Sequence, residues 1–95
     1  MQGYVRADVL LMDGSWLHFR EYVDVSQTVE RLTYAYQYMT QDHKLVFRYD
    51  NVAHHPQIST QPHHKHDGSE EHVVASSAPT LAHVLAEIER MVQRS

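Results

Sequence analysis

Residues 49–66 hold five of the nine histidines of this 95-residue chain, at positions 54, 55, 63, 64 and 66. Pro56 and Pro62 punctuate the run. Imidazole is the side chain whose ordinary pKa lies nearest neutrality, so it gives and takes protons at cellular pH. It is also the commonest metal ligand. Two chemistries fit these residue types. The first is metal-independent RNA cleavage. It needs a base for the ribose 2′-hydroxyl, an acid for the leaving 5′-oxygen and a cation for the phosphate. His55, His63, His64 and His66 are the candidate acid–base groups, with Lys65 beside them as a catalytic cation. Arg48, Tyr49, Asn51 and His54 form the candidate substrate-binding set, in which a tyrosine ring can stack on a base.

The second chemistry is a divalent metal site, for an ion such as zinc. His63, His64 and His66 with His54 or His55 supply nitrogens, and Glu21 or Asp50 an oxygen. The spacing matches no standard zinc signature, so the first reading, which needs no cofactor, ranks above it. In extended chain His64 and His66 point one way and His63 and Lys65 the other, so only alternate members share a site. His18, His43, His72 and His83 are scattered and read as structural. A third reading is a non-enzymatic interaction module, using an exposed sheet face or edge strand.

Composition bounds these readings. Ninety-five residues make a single domain, 1–95. With 42% hydrophobic and 21% charged residues the chain is not disordered in bulk. It has no cysteine, which excludes disulfides, thiolate metal sites and a cysteine nucleophile. No apolar run approaches the roughly 20 residues of a membrane helix. The first eight residues lack the basic-then-apolar pattern of a signal peptide. The expectation is a cytoplasmic protein with no membrane partner. The formal charge of −4 argues against gripping a duplex by bulk positive charge. Residues 43–66, however, carry Lys44, Arg48, Lys65 and six histidines against Asp50 alone. Such a local basic face suits a single phosphate.

Strands must position the tract. Residues 4–12 alternate, with Val5, Ala7, Val9 and Leu11 on one face. Asp13-Gly14-Ser15 predicts a hairpin. Residues 16–25 return with Leu17, Phe19 and Val23 on the core side, where Glu21 costs free energy unless it is paired, with Arg48 or a histidine. Residues 30–40 place Leu32, Tyr34, Tyr36 and Tyr38 on one face, read as core beneath a helix. Gln41 to Lys44 turns the chain into residues 45–50, with Leu45, Phe47 and Tyr49 together. Asp50-Asn51 reads as a turn opening a loop over about 51–70. A short strand is predicted over 71–75. Residues 80–93 form the one predicted helix, capped by Thr80 or by Ser77 with Pro79 near N1. Its stripe is Leu81, Val84, Leu85, Ile88, Met91 and Val92, with His83, Glu87, Glu89, Arg90 and Arg94 in water. The predicted fold is α+β: a four- to five-stranded antiparallel meander, with strands over about 4–50, packed by one C-terminal helix.

Arg48-Tyr49-Asp50-Asn51, His54-His55-Pro56 and Pro62-His63-His64-Lys65-His66 together resemble the TumE family of bacterial toxin–antitoxin proteins. Pro79-Thr80-Leu81, leading into a helix with Glu87-Ile88, fits the same pattern. The resemblance runs from the first strand to the last helix. It implies a small prokaryotic cytoplasmic toxin whose partner is a separate antitoxin with a DNA-binding domain. It also implies RNA as the substrate. The edge strands leave room for a homodimer.

Overall fold

The computed structural model describes residues 2–24, 30–51 and 63–94. Its elements are β1 (Gln2–Leu10), β2 (Trp16–Asp24), β3 (Glu30–Met39), β4 (Leu45–Asp50), β5 (His64–Asp67), β6 (Val73–Ala75) and α1 (Leu81–Arg94). The strands form one sheet in chain order, and every neighbouring pair is antiparallel. The α+β class and the meander are as the alternation predicts. Among the described residues the sheet has six strands rather than four or five. Residues 64–67, read from sequence as loop, are β5, and the last strand is confined to 73–75.

Turn chemistry sets the first two hairpins. Gly14 has φ 86°, and the Asp13 carboxylate accepts from the Ser15 amide at 3.0 Å. The Ser15 hydroxyl, and then its amide, hold the Asp13 carboxyl below the usual carboxylate range. His43 takes φ 64° in the second turn and stacks on Trp16. The Thr40 and Lys44 backbones close that turn. Thr80 caps α1: its hydroxyl accepts from the His83 amide at 3.2 Å, and its carbonyl accepts from the Val84 amide.

The core lies between α1 and one face of the sheet. Leu17, Tyr34, Tyr36, Tyr38 and Phe47 bury their side chains there with Val84 and Ile88. The buried helix stripe is narrower than its periodicity suggests: Leu85, Met91 and Val92 are exposed, because only Val84 and Ile88, one turn apart, point squarely at the sheet. Glu87, read as solvent-facing, turns inward to Tyr49 and Lys65.

Register then decides what the opposite face carries. Two rows of side chains cross it side by side. One is Ala35–Asp50–His64–Ala75, the other Gln37–Arg48–His66–Val73. Directly opposed residues in an antiparallel pair have Cβ atoms about 4.5–5.5 Å apart, so these rows bring Asp50 against His64 and Arg48 against His66.

Candidate functional site: a buried aspartate–histidine cluster

Asp50 is the centre of the cluster. It ends β4, and its carboxylate is turned into the sheet face rather than into a turn. His64 Nε2 lies 2.7 Å from Asp50 Oδ1. His66 Nε2 lies 3.7 Å from Oδ2, and Arg48 Nε donates to Oδ2 at 3.1 Å. The His64 and His66 rings stand nearly perpendicular, at 78° with centroids 5.0 Å apart. Asp50 and His66 are each 5% exposed and His64 2%, so the charges sit where water screens them little. Small Ala35, itself buried opposite Asp50, leaves the row its space.

The tautomers follow from the partners. A carbonyl oxygen only accepts, so His66 Nδ1, 2.8 Å from the Glu70 carbonyl, carries a proton. A carboxylate likewise only accepts, so His64 carries a proton on Nε2. In the neutral rings the acceptor nitrogens are therefore His66 Nε2 and His64 Nδ1.

Glu70 closes the outer side. Arg48 Nη1 and Nη2 donate to its two carboxylate oxygens at 2.5 and 2.7 Å, a bidentate fork. Burial alone would depress the Arg48 guanidinium; its bonds to Glu70 and Asp50 outweigh that and hold it above its ordinary value. The Arg48 partners are thus Asp50 and Glu70, whereas Glu21 accepts from the Tyr36 hydroxyl on the core face.

The remaining candidates lie elsewhere. Lys65 projects to the helix side, where it donates to Glu87 at 2.9 Å and lies over the Tyr49 and Phe47 rings. The Tyr49 hydroxyl donates to the same carboxylate. Burial, and then the bond to Glu87, push the Tyr49 phenol up. Lys65 is pushed up by Glu87 and Tyr49 against the opposing effect of burial. His63 hydrogen-bonds Tyr34 at 2.8 Å and stacks on its ring. The Asn51 side chain accepts from the Tyr34 amide at 3.1 Å, extending the β3–β4 pairing by one residue. His54 and His55 lie outside the described residues. Of the alternative metal set His63, His64 and His66 with Glu21 or Asp50, the fold therefore gathers His64, His66 and Asp50, while His63 and Glu21 lie on the tyrosine side. Three of the scattered histidines have local partners: His18 pairs with Asp8, His43 stacks on Trp16, and His72 Nδ1 donates to the Asp67 carbonyl at the β5–β6 turn.

The sequence pattern that defines the family described as Toxin TumE matches residues 1–93 of the chain. The chain belongs to the TumE toxin family. Both the cluster and the tyrosine face lie inside the matched span. No curated protein and no solved structure matches the chain. As a TumE-family protein it is the toxin of a toxin–antitoxin module, with a cognate antitoxin as its partner. Among its described residues no helix is long and apolar enough to cross a membrane.

Proposed function

We propose that this TumE-family toxin is a metal-independent endoribonuclease, acting in the cytoplasm, whose proton transfers run through His64 and His66. The observation that carries the reading is the convergence of both imidazoles on one buried carboxylate beside a guanidinium. A carboxylate that fixes the tautomer and orientation of a histidine is the arrangement general acid–base catalysis requires. One imidazole, neutral, takes the 2′-hydroxyl proton as O2′ bonds to phosphorus. The P–O5′ bond then breaks, and the other imidazole, protonated, gives its proton to O5′. Arg48 neutralises the phosphate, whose oxygens match the fork now filled by Glu70. A phosphate that displaces the half-exposed Glu70 carboxylate takes its place on the Arg48 fork. Lys65 and His63 brace the opposite face in this scheme, while His54, as a substrate-binding group, and His55, as a further acid–base group, lie outside the described residues. The antitoxin, carrying a DNA-binding domain, pairs with the toxin. β1 is one edge of the sheet and offers its outer backbone row to that partner or to a second copy.

The burial of His64 favours a second reading: the cluster is purely structural, and the toxin acts by binding rather than by cutting. Expression of the wild type and of His64→Ala and His66→Ala in cells without antitoxin separates the two. The ribonuclease reading expects fragmented total RNA with the wild type, with 2′,3′-cyclic phosphate ends. It expects a rate lower by about 10²–10⁴-fold in either variant, with RNA binding little changed. Chelator treatment leaves the activity intact. A substrate with 2′-deoxyribose at the cut site is inert. Equal toxicity from a folded double variant lacking both imidazoles would establish the second reading.

A further inference from the structure

We infer that Asp50, His64 and His66 form a binding site for a single divalent transition-metal ion of the zinc type. Each offers one ligand atom, the three atoms lie within 4.8 Å of one another, and all three residues are buried. His66 sets the arrangement. Its Nδ1 proton is committed to the Glu70 carbonyl, so its acceptor nitrogen, Nε2, faces the Asp50 carboxylate at 3.7 Å. The distance is too long for a hydrogen bond. It is close to the ~3.3 Å that separates two ligands of one tetrahedral zinc with bonds of about 2.0–2.1 Å.

The supporting shell has the form metal sites use. A ligating histidine usually donates its other N–H to a backbone carbonyl or a carboxylate, which fixes its tautomer and aim. The Glu70 carbonyl does this for His66. His64 stands nearly perpendicular to His66 and already meets the other carboxylate oxygen at 2.7 Å, a contact that opens by about half an ångström around an ion. Its Nε2 proton moves to Nδ1 as the ion takes Nε2. Two imidazoles and one carboxylate suit zinc, cobalt or nickel far better than magnesium or calcium, which prefer oxygen ligands. Arg48 opposes the ion, but its charge is offset by Glu70, so the site gains no net positive charge from that pair.

The inference stands on the cluster's geometry and not on the ribonuclease reading. An ion here would occupy the imidazole nitrogens that reading uses, so the two are alternative states of one pocket. The test is titration of the whole, chelator-treated protein with Co²⁺ and Zn²⁺. One equivalent of Co²⁺ is expected to give the intense visible bands of a four-coordinate ion, and one equivalent of Zn²⁺ to abolish them. His66→Gln and His64→Gln, each checked for native circular dichroism, should lose both signals. His83→Gln, on the exposed side of α1, should keep them. So should His63→Gln, because His63 neighbours the site in sequence but lies on the other face. Only the weak bands of six-coordinate cobalt in the wild type would overturn the inference. So would binding undiminished in a folded His64→Gln/His66→Gln protein. Neither result bears on RNA cleavage, which is read separately from fragment ends.

Discussion

Asp50 carries more of the site than any histidine does. It accepts from Arg48 at one oxygen and meets His64 at the other, with Asp50 and His64 themselves out of water. Replacing it by alanine leaves the buried His64 imidazole and the half-buried Arg48 guanidinium facing a void. Breaking a buried pair from one side costs about 3–5 kcal/mol. Asp50→Ala is therefore expected to lose about that much stability in urea unfolding, and Asp50→Asn, which keeps shape and one acceptor, clearly less. The histidines' share was legible in the sequence: a period of two puts His64 and His66 on one side and Lys65 on the other. Asp50 was legible only as one of two candidate oxygens. An Asp-Asn pair before a polar tract is the ordinary signature of a turn, and this one ends a strand instead. The missing signal was its parity with Arg48, which repeats the His64–His66 parity across the β4–β5 register.

The first four strands were legible because apolar residues alternate along them and turn residues separate them. β5 was not. His-Lys-His-Asp has no apolar face, since one side meets Asp50 and Arg48 and the other meets Glu87. A strand whose two faces are both satisfied by polar partners shows no hydrophobic period. The helix was legible in extent but not in how much of its stripe would be covered. Gly14 and Gly68 both hold positive φ, at 86° and 83°. A β-carbon at Gly68 meets nothing within 4 Å, whereas at Gly14 it comes to 2.9 Å from the Gln41 side chain. Gly68→Ala is expected to lose about 1–2 kcal/mol from the backbone alone. Gly14→Ala should lose more, because Gln41 must also move. Chemical denaturation of the two variants, with unchanged m-values, checks the ranking.

At the scale of the whole molecule, α1 is tied to the C-terminal half of the sheet by a polar clasp as well as by Val84 and Ile88. Glu87 accepts from Tyr49 on β4 and Lys65 on β5, so one carboxylate joins three elements. Both partners hold their protons more tightly in the fold than in the open chain: the Tyr49 phenol is raised above 10.0 and the Lys65 ammonium above 10.5. A raised folded value means stability that is fully present below the unfolded value and is lost as pH rises through the folded one. The clasp therefore holds at neutral pH and fails on the alkaline side, above about pH 10. Urea unfolding of the wild type should show a flat midpoint from pH 7 to 9 and a fall beyond about pH 10. Glu87→Gln removes the charge that favours both protons while keeping a polar group of the same shape. Its midpoint should be lower at pH 8 and should fall less steeply above pH 10. Burial still raises Tyr49 in that variant, so the alkaline fall should shrink rather than vanish. Parallel curves for the two proteins across the alkaline range would show that Glu87 does not couple the helix to the sheet through these protons.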